Sequence, residues 1–282
     1  MSDPRITPAN DRVAHVSVAV HHPDREPVEG VARAVAVPLA DLRQNPEGAR
    51  DRQAAMGEGF LALEDRDGWT FGTLMRDGYV GWIQTAKLGE PVKATHVVAV
   101  RGTHLYPMPD IKREPVAALP FGARVRIVAE TDRFMETSGG AFLSRPHLRP
   151  VDQPFGDPVA VAQLFLGTPY LWGGNSGTGI DCSGLVQAAL LAAGLPCPGD
   201  SDLQEASVGE PLAPDVPPER GDLYFWRGHV ALAVDGQTLI HANSHHMAVA
   251  QEPIDAAIAR IASQSGGPVT SRRRIHSLGR SS

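Results

Sequence analysis

Two Asp-Gly dipeptides, Asp67-Gly68 and Asp77-Gly78, cut the stretch from Val28 to Leu88 into apolar runs no longer than a strand. "VARAVAVPL", "GFLALEDRDGWTFGTL" and "DGYVGWIQ" therefore predict a hairpin-rich unit over residues 28–89. The same style returns over residues 90–150 in "THVVAVRGTHLYPMP", "GARVRIVAE" and "RFMETSGGAFLSRPHL". Each unit has about 60 residues, the size of a small all-β barrel. The 24 prolines and 29 glycines fit turn-rich barrels better than helical bundles. Residues 1–27, polar and broken by prolines, read as an arm rather than a domain.

After the linker "VDQPFGDP" the texture changes. "PVAVAQLFLGTPYLWGG" has apolar residues at helical spacing up to Gly167, a second helix is predicted over 182–193, and strands follow from Leu223. Helices first and a hairpin-rich sheet afterwards suggest an α+β domain over residues 155–282. The basic end "SRRRIHSLGRSS" reads as a solvated tail. A net charge of −6 argues against nucleic acid or an anionic membrane as partner. The N-terminus "MSDPRITPANDRVAH" has no basic segment followed by an apolar one, and no stretch approaches the ~20 apolar residues of a membrane span, so the expected location is cytoplasmic. The oligomeric state is left open.

Chemistry enters at "GIDCSGLVQAALLAAG", residues 179–194. Cys182 could be a small buried hydrophobe, a metal ligand, half of a disulfide or a nucleophile. Asp181 can cap a helix whose apolar stripe is Leu185, Val186, Ala189 and Leu190, which puts Cys182 in the first turn. The positive end of the helix dipole lowers a thiol's pKa there and favours the reactive thiolate. The other cysteine, Cys197, lies between two prolines and reads as structural.

A nucleophile needs a base. In "GDLYFWRGHVALAVDGQTLIHANSHH", His229 opens one strand and His241 closes the next. A two-residue Asp235-Gly236 loop would send the two histidines to opposite faces. A three-residue loop over 234–236, with Gly236 left-handed, would set His229 directly against His241. On the second register Cys182 attacks a carbonyl, His229 takes and returns the proton, and His241 fixes the imidazole. The Cys182 N–H at the helix start could donate to the oxyanion. Spacing alone leaves a Cys-His-His metal site open, but no close ligand pair such as CxxC or HExxH includes these residues, so metal is the poorer reading.

At this point "TPYLWGGNSGTGIDCSGLV", "GDLYFWRGHVALAV" and "LIHAN" resemble the three blocks of the NlpC family of papain-like cysteine peptidases over residues 155–262. "GEGFLALEDRDGWTFGTLMRDGYVGWI" resembles a bacterial SH3-like domain, although "MGEGF" departs from the commoner "LFGE" form. The resemblance implies two SH3-like barrels followed by an α+β papain-like peptidase. It implies a γ-D-glutamyl-L-diamino acid endopeptidase of cell-wall peptide recycling, acting on L-Ala-γ-D-Glu-diamino acid peptides without cofactor or metal. Residue by residue, Cys182 matches the nucleophile, His229 the base and His241 the orienting residue. Asp181 and Ser183 match positions that bind the free L-Ala amine and the D-Glu end. Tyr170 and Trp172 match an aromatic pair lining that pocket, and Ser201 a further pocket serine. Tyr79 and Glu58 match residues of the first SH3-like domain that close over the amine.

Each has a plainer alternative. Tyr170 and Trp172 could be core, Asp181 only a cap, Ser201 a helix N-cap, and Tyr79 could pack inside its barrel. His245 and His246 read as surface residues. The rival functions are a cell-wall-peptide binding protein with a degenerate peptidase domain, and an amidase or acyltransferase on the same fold.

Overall fold

The structure is a computed structural model that describes residues 3–264 and 266–275. The chain divides into two compact units, Met1–Gln153 and Pro154–Ser282.

In the first unit the strand-length runs pair into a seven-stranded antiparallel sheet. Its order is Arg50–Ala55, Leu39–Arg43, Val80–Gln84, Trp69–Leu74, Gly59–Arg66, Val31–Val35 and Leu88–Gly89. Asp67-Gly68 closes a two-residue hairpin in which Arg66 faces Trp69. Both loop residues have positive φ, 50° and 80°, the backbone that matches the twist of the flanking strands. The second Asp-Gly sits in a longer loop, with Leu74 N–H donating to Tyr79 O across residues 75–78. Alternation then buries Val35, Leu42, Phe60, Leu74 and Ile83 in one core.

Residues 1–27 are more than an arm. Val13–His15 pairs in parallel with Glu26–Val28. Val13 packs with Leu63, Phe71, Val80 and Trp82, and Arg12 meets Glu64 at 2.7 Å. Residues 90–150 form three small sheets of two or three strands around Val98, Leu119, Ala123, Val125 and Leu143. Ala55 from the first sheet joins that core.

The second unit begins with α1 (Pro158–Gln163), capped by Asp157, whose side chain accepts from Val159 N–H at 2.9 Å. Then come α2 (Cys182–Ala192) and α3 (Ser201–Ser207). A six-stranded antiparallel sheet follows, ordered Glu210–Pro211, Ser271–Arg274, Leu223–Trp226, His229–Ala233, Thr238–Asn243 and Ala248–Pro253. The sequence reading missed α4 (Ile254–Gln264), although its period is regular. Ile254, Ala257 and Ile261 seat it on Tyr224, Trp226, Ala231, Ala233 and Leu239.

The solvated-tail reading fails for residues 271–275. Ser271–Arg274 is an inner strand between Glu210–Pro211 and Leu223–Trp226; residues 276–282 lie outside the described residues. Its charge is matched by Asp222, fully buried. Arg274 donates from Nε to Oδ1 at 2.8 Å and from Nη2 to Oδ2 at 2.9 Å, and Glu219 N–H donates to Oδ2 at 2.9 Å. Removing one partner of such a pair strands the other. Asp222→Ala should therefore cost about 3 kcal/mol of stability in denaturant unfolding of the second unit. A loss below about 1 kcal/mol would mean the pair is no more than a surface contact.

Candidate functional site

The site is built on the start of α2. Asp181 is its N-cap, and Cys182 its first residue. The Asp181 carboxylate accepts from Gly184 N–H at 2.6 Å, from Ser183 Oγ at 3.0 Å and from Gly173 N–H at 2.9 Å. Two of those bonds close the first helical turn. The third ties the loop "YLWGG" to it.

Gly184 lets that loop sit close, since a Cβ there would meet Gly174 O at 2.5 Å. Asp181 N–H completes the clasp by donating to Gly174 O at 3.2 Å. Asp181, Cys182 and Ser183 are all buried. Cys182 thus lies where the helix dipole favours thiolate, in a turn fixed from three directions.

The same loop places the aromatic pair. Tyr170 N–H donates to Met247 O at 2.9 Å, and the side chain is half-buried. Burial, followed by the charges of Cys182 and Asp181, pushes its phenol well above the usual range. Tyr170 therefore stands beside the thiol with its proton on. Trp172 is 72% exposed, which removes its core reading.

Ser201 is half-buried at the first position of α3; the N-cap is Asp200, one residue earlier than the alternative reading put it. Buried Gln204 docks α3 on α2, donating to Ser183 O at 2.9 Å and Pro198 O at 3.0 Å. Glu58 and Tyr79 belong to the first unit. There Glu58 accepts from Arg76 Nη1 at 2.7 Å and from Ala55 N–H at 2.8 Å, and Tyr79 is 3% exposed within the first core.

The hairpin register differs from both expected ones. Leu232 pairs with Ile240 and Ala233 with Leu239, leaving a three-residue loop over 235–237. The Asp235 carboxylate sets it by accepting from Gln237 N–H and Thr238 N–H, both at 2.8 Å. Gly236 is not left-handed. On this register His229 and His241 share one face as diagonal neighbours rather than direct partners. They still meet, with His229 Nε2 and His241 Nδ1 2.8 Å apart.

Trp226, strand partner of His229, lays its ring 5.6 Å from the imidazole. The strand that begins with His229 packs against α2. Beyond the histidines lie two groups that sequence reasoning missed. Glu252 Oε1 is 2.6 Å from His241 Nε2, and Arg260 of α4 pairs with Glu252. His245 and His246 are exposed, and His246 N–H donates to Asn243 Oδ1 at 2.8 Å.

A cysteine at a helix start, beside a strand pair carrying two coupled histidines, is the working arrangement of a thiol peptidase. Comparison with known proteins identifies two domains: residues 167–261 match the NlpC/P60 family and residues 42–88 the bacterial dipeptidyl-peptidase Sh3 domain. It is 32% identical over 184 residues to a gamma-D-glutamyl-L-lysine dipeptidyl-peptidase of Bacillus subtilis, covering 58% of this chain and 60% of that protein. It is 43% identical over 86 residues to dipeptidyl-peptidase 6 of Lysinibacillus sphaericus, covering 30% of this chain and 31% of that one. Its fold resembles the crystal structure of an NlpC/P60 family protein from Bacillus cereus. The TM-score is 0.72 at 19% identity, over 86% of this chain and 99% of the other.

Burial drives the His229 pKa down from 6.5 to about 3, with His241 and Arg260 adding and Glu252 opposing. His241 is also lowered, chiefly by burial, against the pull of Glu252. Both rings are neutral at neutral pH, so His229 is free to take a proton. A histidine whose folded pKa lies below its unfolded value stabilises the fold fully above the unfolded pKa and loses that contribution as pH falls. The second unit should therefore lose about 2 kcal/mol between about pH 7.5 and pH 5 from His229 alone, before most carboxylates titrate. His229→Gln should flatten that slope in denaturant titrations; a profile already flat in the wild type would contradict the buried neutral ring.

Proposed function

We propose that the chain is a cysteine endopeptidase cutting the γ-D-Glu–diamino acid bond of cell-wall-derived peptides that carry a free N-terminal L-Ala. What carries the reading is Cys182 on a capped helix start in the same domain as the His229–His241 pair at 2.8 Å. The substrate class is supported by the name of the Bacillus subtilis relative, a gamma-D-glutamyl-L-lysine dipeptidyl-peptidase.

In the first step His229 takes the Cys182 thiol proton as Sγ attacks the γ-carbonyl carbon of D-Glu. The Cys182 N–H, in the first helical turn, donates to the oxyanion. The intermediate collapses, the C–N bond breaks, and imidazolium returns the proton to the departing amine of the diamino acid. Water then attacks the thioester, giving its proton to His229, and the carboxylate product leaves as the thiol re-forms. No cofactor is required by this sequence of steps.

Asp181, Ser183 and Tyr170 stand around the nucleophile and supply a carboxylate and hydroxyls for the L-Ala-γ-D-Glu portion. In intact cell wall the L-Ala nitrogen is an amide, so a site tuned to an ammonium selects released peptides. Buried polar groups deprived of their intended partner cost about 1–3 kcal/mol, which is the source of that selection.

Mass spectrometry after incubation with L-Ala-γ-D-Glu-L-Lys, or with its diaminopimelate counterpart, should show L-Ala-D-Glu and the free diamino acid. Cys182→Ala should abolish both products while leaving the fold intact. The N-acetylated peptide should be cut at least about tenfold less efficiently, a loss of ~1.4 kcal/mol or more in kcat/KM. Equal rates on capped and free peptides would remove the amine preference; no cleavage of either would remove the substrate assignment.

A further inference from the structure

The proton chain does not end at His241. Glu252 lies on the strand beside it, where Leu239 faces Glu252 and His241 faces Ala250. The period of two puts Glu252 and His241 on one face as diagonal neighbours, within reach of a long side chain. Glu252 Oε1 meets His241 Nε2 at 2.6 Å.

The carboxylate is itself held. Arg260 donates to Glu252 Oε2 from Nε at 3.3 Å and also grips Oε1 through Nη2. Arg260 rides on α4, which Ile254, Ala257 and Ile261 fix to the sheet. Its remaining guanidinium nitrogen donates to Gln264 Oε1 at 3.3 Å. The His241 ring is fully buried and Glu252 is half-buried. Burial pushes the Glu252 carboxyl up, but His241 and then Arg260 together hold it down to about 2, so it is ionised at neutral pH.

We propose that Glu252, anchored by Arg260, is a positioning residue that dictates which nitrogen of both histidines carries the proton, and so leaves Nδ1 of His229 as the base. An ionised carboxylate can only accept. The proton between Glu252 and His241 must therefore sit on His241 Nε2. His241 is neutral, so its Nδ1 is a bare lone pair and must accept from His229 Nε2 across the 2.8 Å contact. His229 is also neutral and has spent its one N–H on that bond. Its Nδ1 is then the atom left to take a proton.

Without Glu252, His241 could carry its proton on Nδ1 and donate the other way. His229 would then hold its own proton on Nδ1 and could not act as base. The other groups near this chain do not fix its direction. Cys182 in α2 is where the proton originates, Arg260 can only donate, the Trp226 ring centroid lies 5.6 Å from that of His229 in a tilted contact, and the His246 ring meets Asn243 Oδ1 through Nδ1 at 3.0 Å.

This inference rests on the peptidase reading, but its first test does not need the substrate. Nitrogen-15 NMR of imidazole-labelled protein near neutral pH should show both His229 and His241 protonated on Nε2. Wild-type protein with the proton on His241 Nδ1 would overturn the proposal, whether or not any peptide is cleaved. In Glu252→Leu the His241 signal should shift toward the Nδ1-protonated form and alkylation of Cys182 by iodoacetamide should slow.

On a cleaved peptide, Glu252→Leu should lower kcat at least about tenfold, toward the 10²–10⁴ that a positioned general base contributes, with KM within about a factor of two. Glu252→Gln, which keeps an acceptor oxygen, should retain the wild-type tautomers and recover most of that loss. Its lost charge should move the acid limb of kcat/KM to lower pH, because the His229 imidazolium is less supported. Unchanged tautomers and alkylation rate in Glu252→Leu would overturn the proposal. So would a Glu252→Gln variant as impaired as Glu252→Leu.

Discussion

The Asp181 carboxylate organises the site, because one group fixes three pieces of chain that would otherwise be independent. Its bonds to Gly184 N–H and Ser183 Oγ close the first turn of α2, and its bond to Gly173 N–H draws in the loop carrying Tyr170 and Trp172. Cys182 sits between the capping residue and the turn it caps, so neither its backbone nor its Cα–Cβ direction can drift without breaking a charge-assisted bond. The glycines follow from this. A side chain on Gly184 would collide with Gly174 O at 2.5 Å, and the loop could no longer reach the carboxylate. Packing of Leu185, Val186, Ala189 and Leu190 then transfers that local order to the rest of the second unit.

The sheet solves a different problem, holding polar rings in an apolar layer. His241 is fully buried and His229 half-buried, and each imidazole would be costly there without hydrogen bonds. The 2.8 Å contact satisfies one nitrogen of each ring, and Glu252 satisfies the second nitrogen of His241. The nitrogen of His229 left over is the one the proposed chemistry would use. Strand order protects this geometry from the other edge. Leu223–Trp226, which carries the Trp226 ring against His229, is flanked by the tail strand Ser271–Arg274, itself fixed by Asp222. A buried ion pair remote from the histidines therefore helps to keep their sheet in register.

What the sequence makes legible is local. The capped helix start at Asp181, its apolar stripe and the two-residue turn at Asp67-Gly68 all follow from residue types within a few positions of each other. What it conceals depends on competition between near-equal options. The Asp235 side chain captures two N–H groups and moves the hairpin loop one residue along, and no apolar pattern distinguishes the registers because Val230, Ala231, Leu232 and Ala233 are all buried. Glu252 and Arg260 escape because their meaning depends on which strand lies beside His241. "QEPIDAAIAR" read alone is a strand end and an amphipathic helix with ordinary surface charges. The tail strand and the N-terminal pairing are hidden for the same reason: "SRRR" and "RVAH" look solvated until Asp222 and Glu64 are brought opposite them.

The relay also explains why a neutral ring rather than a carboxylate stands next to the base. A carboxylate touching His229 would favour its imidazolium strongly, since Coulomb energy at a given dielectric falls only as the inverse of distance and contact is where it is largest. Here the charge of Glu252 is set back by the width of the His241 ring and partly compensated by Arg260, so burial prevails and His229 rests neutral. Orientation is transmitted in full, because a hydrogen bond passed through an imidazole keeps its direction, while electrostatic support is transmitted in part. The base is thereby aimed without being protonated in advance. In the proposed attack, the positive charge His229 would gain still finds an ionised carboxylate two hydrogen bonds away.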